Sequence, residues 1–336
     1  MKLERTRISA AILAGVLSFT GLSGCGTGTS ASAAGSSLDA ADTPTPAPED
    51  IFDGSVPLDG AANPVLDTLL LPIASETVTY GNQYATIDAS HSSDGYIMVK
   101  YVTGETARIK VQVVKTDGVT YTYNLDTDGT YDVFPLSQGN GAYKVTVFRN
   151  VSDHKYAQVF TQTIQVALAN DLFPFLYPNQ YVDFSERSAV VAKAEELASA
   201  MTGELAKLSA IYSFVVKNFT YDYDLAKTVQ SGYLPDVDAV LARQKGICFD
   251  YAAVMCAMLR AEGIPTKLGM GYTSTGEYHA WISTHISEAG WINNVISFDG
   301  VSWKLMDPTF ASVGKESQSV MEYINNPDNY SMKYCY

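Results

Sequence analysis

The fold is decided by the stretch Lys245-Gly246-Ile247-Cys248-Phe249-Asp250-Tyr251-Ala252, which places a cysteine at the start of an apolar helix. Apolar residues recur at helical spacing up to Glu262, and Gly263 and Pro265 end the helix. Cys248 therefore falls in the first turn, where unpaired backbone N–H groups and the helix dipole stabilise a thiolate. This position predicts a nucleophile with a lowered pKa. The alternative is a buried cysteine that packs as a small hydrophobic residue.

Two residues downstream could activate this thiol. His279 lies in a predicted strand over 278–283. Asp307 ends the second strand of a predicted hairpin over 294–306, whose turn is Asp299-Gly300. An imidazole base oriented by a carboxylate is the arrangement that lets a thiol attack an amide. Singly, His279 could be structural and Asp307 a turn residue. Together, in the order Cys–His–Asp, they predict a catalytic triad.

These segments resemble the core of the transglutaminase-like superfamily. The resemblance covers most of a predicted domain over residues 171–336. It rests on the cysteine stretch above and on three further segments: Leu259-Arg260-Ala261-Glu262-Gly263-Ile264-Pro265, His279-Ala280-Trp281 and Met306-Asp307-Pro308-Thr309-Phe310. It implies a papain-like α+β fold with Cys248 as nucleophile, His279 as base and Asp307 as orienting acid. It also implies an aromatic oxyanion donor in the loop 219–224, where Tyr221 and Tyr223 are the candidates.

The chemistry implied by this resemblance is attack on an amide bond with formation of a thioester. The substrate would be a peptide, a protein or cell-wall peptide. Water resolves the thioester as hydrolysis and a primary amine resolves it as transamidation; hydrolysis is slightly favoured, because the chain shows no amine-acceptor feature. The alternative function is a catalytically inactive binding or scaffold module that retains the fold.

The beginning of the chain predicts location. Lys2, Arg5 and Arg7 precede a short apolar stretch over 8–22, and Leu22-Ser23-Gly24-Cys25 resembles a bacterial lipobox. We therefore expect residues 1–24 to be a lipoprotein signal peptide and Cys25 to carry the lipid; the alternative is an ordinary signal peptide. Residues 25–74, rich in Gly, Ser and Pro, predict a disordered tether. The protein is expected outside the cytoplasm, lipid-anchored to the bacterial cell membrane.

Net charge and cysteine spacing limit the partners, disulfides and metal sites that can be expected. The chain has a formal net charge of −14, which disfavours nucleic acid as a partner. Cys256 lies in the middle of the same helix as Cys248, too far from it for a disulfide, and is either a packing residue or the disulfide partner of Cys335. No cysteine spacing fits a zinc site. The sequence predicts neither a metal nor a cofactor.

The chain before the helical region predicts a separate all-β domain. Short β-rich runs separated by turns recur between residues 75 and 170, which favours an Ig-like β-sandwich. Tyr143, after Gly139-Asn140-Gly141-Ala142, resembles the tyrosine at a strand start of Ig-like domains. We expect this domain to position, contact or space the enzyme and not to react, and a passive spacer is the simplest of these roles; only its many tyrosines favour the alternative of carbohydrate binding. Helices are predicted over 186–201, 204–218, 236–244 and 247–262.

Overall fold

The β-rich run folds into two four-stranded antiparallel sheets, which together we call the β-module. In this computed structural model the described residues are 69–104, 107–273, 276, 278–293, 296–298, 303–305 and 330–336. The first sheet has the order β1-β2-β3-β6 and the second the order β5-β4-β7-β8. The strands are β1 (Thr79–Gly81), β2 (Ala85–Asp88), β3 (Tyr96–Tyr101), β4 (Ile109–Lys115), β5 (Thr120–Leu125), β6 (Asp132–Pro135), β7 (Gly141–Ser152) and β8 (Lys155–Val166).

Alternation of side chains explains how the β-module is held together. In β5 the residues Tyr121, Tyr123 and Leu125 are buried, whereas the threonines and asparagine between them are exposed. The ring of Tyr123 meets Phe134 of the other sheet at 4.9 Å between centroids. Each sheet therefore buries one face against the other, as the alternating pattern predicts.

Helices and a second kind of sheet follow the β-module. The helices are α1 (Ala189–Ala198), α2 (Glu204–Asn218), α3 (Tyr223–Thr228), α4 (Val237–Arg243) and α5 (Cys248–Ala261). An antiparallel sheet of order β13-β12-β11-β16 packs against α5 through its two central strands. Its strands are β11 (Thr266–Thr273), β12 (Tyr278–Ile286), β13 (Gly290–Asn293) and β16 (Tyr330–Cys335). None of the helices among the described residues is long and apolar enough to cross a membrane.

Two short pairings complete the described part of the fold. The first is a parallel pair, β9 (Thr220–Tyr221) with β10 (Lys245–Gly246), directly before α5. The second joins β14 (Ile296–Phe298) to β15 (Trp303–Leu305), which confirms the predicted hairpin. Its register pairs Phe298 with Trp303, and the predicted Asp299-Gly300 turn lies outside the described residues.

Helix α5 is enclosed on all sides. Every residue from Phe249 to Ala261 is buried, among them Asp250 and Arg260. Helices α1, α2 and α4 contact it, and so do β11 and β12. A helix that is apolar all round is expected at the centre of a fold. The position of α5 follows from that composition.

Two buried tyrosines of the β-module should respond oppositely to loss of the hydroxyl. Tyr143 donates to the carbonyls of Gly139 (2.7 Å) and Leu136 (3.2 Å), whereas the buried hydroxyl of Tyr123 has no hydrogen-bond partner among the described residues. We expect Tyr143→Phe to lower the free energy of unfolding by about 1–2 kcal/mol and Tyr123→Phe to leave it unchanged or raise it by up to about 1 kcal/mol. Urea denaturation measures both. Equal destabilisation by the two variants would contradict this account.

Candidate active site

The start of α5 is organised by a buried carboxylate. Asp250 accepts a hydrogen bond from the backbone N–H of Ile247 at 2.8 Å and another from the Tyr233 hydroxyl. The guanidinium of Arg243 lies 3.7 Å from the same carboxylate. Burial nevertheless raises the pKa of Asp250. These contacts satisfy a free N–H at the first turn and thereby fix where Cys248, the first residue of the helix, is placed.

Gly246 is required by the closeness of that carboxylate. A Cβ at this position would lie 2.5 Å from the Cβ of Asp250, too close for any side chain. The carbonyl of Gly246 also accepts the backbone N–H of Asp222 at 2.8 Å, through the β9–β10 pairing. Within the Gly-Ile-Cys sequence, the glycine allows the Asp250 side chain to lie against the backbone, and the cysteine is the first residue of α5.

The sulfur of Cys248 lies beside β12. Burial is the main influence on the pKa of this thiol and raises it, whereas the backbone N–H groups of Ala280 and Phe249 donate towards the sulfur and lower the pKa by a smaller amount. Cys248 keeps part of its surface exposed, but protein atoms surround the sulfur closely, and burial outweighs these donors and raises its pKa to about 11. The lowered pKa predicted from the helix terminus is therefore wrong for this state, because desolvation dominates.

His279 comes directly before Ala280, whose backbone N–H faces the Cys248 sulfur. It lies on β12, opposite Gly271 of β11, and its side chain is 9% exposed. The other neighbour, β13, pairs with β12 only from Ser283 onwards. Burial lowers the pKa of His279 to about 4, so the imidazole is neutral at pH 7. Trp281 packs against the imidazole, with 6.5 Å between ring centroids.

Cys248 and His279 line the same cavity, which has a volume of about 370 Å³. Two segments of the domain supply much of its lining: the loop 229–234 and the C-terminal residues Tyr334 and Tyr336. The β-module contributes Lys110 and the exposed side of β5. A resting pair of neutral thiol and neutral imidazole therefore faces a volume at the lower end of the ~300–1,000 Å³ typical of ligand sites.

The β-module is joined to this cavity through five aromatic rings, which we call the tyrosine cluster: Tyr121, Tyr123, Tyr181, Tyr334 and Tyr336. The ring of Tyr336 stacks on Tyr181 at 3.8 Å and meets Tyr121 edge-on at 5.4 Å. The backbone N–H of Cys335 donates to the Tyr121 hydroxyl at 3.0 Å, and the Ser137 hydroxyl donates to the carbonyl of Cys335 at 2.7 Å. A passive spacer does not describe this domain, because its side chains form part of the cavity.

The oxyanion candidates occupy a different place. Tyr221 lies in β9 and Tyr223 in α3, and their rings contact each other at 5.0 Å. The residues that line the cavity include five other tyrosines but neither of these two. Their role as oxyanion donors stays a prediction. The donors that do face the sulfur are backbone N–H groups, from Ala280 of β12 and from Phe249 at the start of α5.

The other predicted site residues divide into two groups. Asp307 and Cys25 lie outside the described residues, so the triad acid and the lipidation site stay predictions. Cys256 and Cys335 are both free thiols, and the bridge that the sequence allows is not formed. Burial raises the pKa of Cys256 to about 12 and that of Cys335 to about 11. Both therefore stay protonated, and a protonated thiol is a poor partner for disulfide exchange.

Sequence reasoning overlooked several residues that shape the site. The cavity-lining Tyr233, Tyr278, Tyr334 and Tyr336 carry no motif, and tyrosine is common throughout the chain, at 22 residues. Arg260 had a usable signal, because it is a charged residue in a helix with no polar face. It is completely buried and ties α5 to β11, to the chain at Tyr177 and to the C-terminal residue Tyr336.

Burial of neutral His279 predicts a loss of stability in acid. Its pKa is about 4 when folded against an ordinary value of 6.5, so below pH 6.5 the unfolded chain binds a proton that the folded one excludes. The stability that depends on neutral His279 is fully present above pH 6.5. As the pH falls towards 4, the free energy of unfolding decreases by about 2–3 kcal/mol. Urea unfolding at pH 7 and pH 4 should show this difference in the wild type, and His279→Gln should remove it. Identical pH dependence in the two proteins would refute the prediction.

Comparison with known proteins identifies the segment that carries the site. Residues 191–294 match the sequence profile of the transglutaminase-like superfamily. This part of the chain contains Cys248 and His279 and is a transglutaminase-like domain of mixed α and β structure. The β-module and Asp307 lie outside the matched segment.

Individual relatives are distant. UPF0252 protein MJ1282 of Methanocaldococcus jannaschii is 24% identical over 196 residues, which are 53% of this chain and 52% of that protein. The chain thus matches about half the length of this curated relative. A candidate cysteine protease of Cytophaga hutchinsonii shares 15% identity over 64% of this chain and 67% of its own, with a TM-score of 0.33. Red sea bream transglutaminase shares 12% identity over 64% and 48%, with a TM-score of 0.25.

Proposed function

We propose that this protein is a thiol enzyme that attacks amide bonds of peptides, proteins or cell-wall peptide through a thioester on Cys248. The observation that carries the proposal is the shared cavity: the sulfur of Cys248 accepts the N–H of the residue after His279, and both side chains line one opening. A nucleophile and a base on separate elements that meet in a cavity are the requirement for this chemistry.

The proposed first half-reaction begins from the neutral pair. As the Cys248 sulfur attacks the carbonyl carbon, its proton passes to the imidazole of His279 and the carbonyl electrons move to the oxygen. Backbone N–H groups at the start of α5 are proposed to stabilise this oxyanion. Collapse of the intermediate breaks the C–N bond, and the leaving amine takes the proton from His279. Asp307 is proposed to orient the imidazole, and a carboxylate there would stabilise its protonated form.

The second half-reaction releases the acyl group. Water attacks the thioester while His279 accepts its proton, and the departing sulfur takes that proton back. A primary amine in place of water gives transamidation. We favour hydrolysis slightly, since water is abundant and the sequence shows no amine-acceptor feature.

The experiment uses a panel of glutamine-containing and other peptides, with and without a primary amine, read by mass spectrometry. Hydrolysis should cleave the peptide or convert glutamine to glutamate, whereas a mass gain from amine incorporation without cleavage would favour transamidation. His279→Ala should remove either product. If no peptide is altered, the alternative of an inactive surface-binding module that retains the transglutaminase-like fold would replace the enzyme proposal.

Location and the domain in front are further parts of the proposal. We propose that Cys25 is lipidated and anchors the protein outside the cytoplasm, on the lipobox resemblance. The tyrosine corner formed by Tyr143 with the carbonyls of Gly139 and Leu136 supports an Ig-like assignment for the β-module. Cys25→Ser should abolish incorporation of labelled palmitate and release the protein from membranes; unchanged labelling would exclude Cys25 as the lipid site.

A further inference from the structure

The β-module presents a polar surface to the cavity. Thr120, Thr122 and Asn124 alternate along β5 on its exposed side, and all three line the cavity together with Lys110 of β4. Lys110 is the cross-strand partner of Asn124, and its ammonium group donates to Asn124 Oδ1 at 3.0 Å. The subsite formed by Lys110 and Asn124 thus opens into the same volume as Cys248.

The charge of this subsite is unbalanced. Among the described residues that line the cavity, Lys110 is the only lysine or arginine and none is aspartate or glutamate, although acidic residues outnumber basic ones by 36 to 22 in the chain. Lys110 is half-buried and forms no ion pair with any carboxylate in the described part of the chain. Burial lowers its pKa, and the neighbouring Arg108 lowers it further. A half-buried cation without a counter-ion is stabilised when an anion binds beside it.

The amide of Asn124 extends the subsite. Because its Oδ1 accepts from Lys110, its Nδ2 is the end left to donate, and Nδ2 lies towards Gly232 in the loop 229–234. A Cβ on Gly232 would lie 3.9 Å from Nδ2, and the φ of +86° at this position also favours glycine. One ammonium and one amide donor side by side match the two oxygens of a carboxylate.

We infer that Lys110 and Asn124 bind a carboxylate of the substrate whose amide bond is presented to Cys248. The inference rests on the proposed function and names its substrate class: an acyl donor with a free carboxylate near the scissile amide. That carboxylate is either an acidic side chain or a peptide C-terminus. A neutral group would leave the cation unpaired, and a cationic group would be repelled by it.

Two alkylating reagents test this subsite without requiring turnover. Iodoacetate and iodoacetamide both form an S–C bond at Cys248 with loss of iodide, and they differ only in bearing a carboxylate or a carboxamide. The ratio of their rates, read by peptide mass mapping, cancels differences in thiol ionisation. At low salt we expect Lys110→Met to lower the ratio of the iodoacetate rate to the iodoacetamide rate about fivefold. Towards 1 M salt, the ratio of the wild type should approach that of the variant, because salt screens the lysine charge.

A matched control lies in the same sheet. Lys144 of β7 is exposed and does not line the cavity, so Lys144→Met should leave the ratio at the wild-type value. Urea unfolding of both variants checks that they fold. An unchanged ratio in folded Lys110→Met would overturn the carboxylate subsite even if amide substrates are turned over. A lowered ratio in a protein that alters no peptide would support the subsite and refute the enzyme proposal. Failure of both reagents to label Cys248 would overturn both.

Paired peptides then distinguish the two sources of the carboxylate. One pair differs by Glu or Gln next to the scissile amide, and the other by a free or amidated C-terminus. We expect one pair to show a higher kcat/KM for the acidic member, about fivefold, and Lys110→Met to remove that preference. Preference for the neutral member in both pairs would overturn the inference.

Discussion

Cys248→Ala should reduce amide turnover by at least about 10⁴-fold, because the variant cannot form the thioester and only binding and polarisation of the carbonyl remain. The loss should appear in kcat, with KM or peptide affinity little changed, since the alanine leaves the walls of the cavity in place. Steady-state kinetics with whichever peptide the wild type converts provides the measurement. The urea unfolding midpoint should stay near that of the wild type.

Cys256→Ala is the control for this prediction. Cys256 lies on the same helix, is fully buried and does not line the cavity, so its replacement should cost stability and leave kcat within about twofold of the wild type. Turnover that survives in Cys248→Ala, or that is lost equally in Cys256→Ala, would show that the first helical residue is not the nucleophile.

Arg260→Ala should lower the free energy of unfolding by about 3–5 kcal/mol. The fully buried guanidinium donates to the carbonyls of Thr266 (2.9 and 2.8 Å), Tyr177 (2.7 Å) and Tyr336 (2.8 Å), and only the bond to Tyr177 is part-buried. Alanine would leave a cavity and withdraw these donors from three carbonyls. Relief of the cost of burying a cation offsets part of this loss, but it cannot replace the lost volume. Urea denaturation measures the change.

The same variant should loosen one wall of the cavity. Tyr336 and Tyr334 both line the cavity, and the Arg260 bond to Tyr336 helps hold this end of the chain against β11. Hydrogen exchange in β16 should therefore accelerate more than exchange in the β-module. Arg187→Ala provides the comparison, because Arg187 is 91% exposed and its replacement should change stability by less than about 0.5 kcal/mol. Equal stability of the two variants would contradict the anchoring role.

Periodicity located the helices where local signals agreed with burial. Helix α2 has the predicted bounds and α5 differs by one residue at each end; Gly203 precedes α2, and Gly246, Gly263 and Pro265 delimit α5 in the chain. Helix α1 is shorter than predicted, running only from Ala189 to Ala198. The pairing of β14 with β15 was predicted from the sequence, but its register came only from the structure, since a turn dipeptide specifies a local bend and not which residues finally pair.

Local order along the chain was enough to find the cysteine at a helix start, the histidine on a strand and the β-rich module before them, because each depends on neighbours a few residues apart. Local sequence patterns could not predict how deeply the side chains of Cys248 and His279 are buried. Burial raises the pKa of Cys248 and lowers that of His279, which reverses the expectation drawn from the helix terminus. Nor could periodicity predict that Lys110 and Tyr336 line the cavity. Lys110 lies more than a hundred positions before the nucleophile, and Tyr336 directly follows the last strand of the chain. Such long-range contacts form only when the sheets and helices pack together.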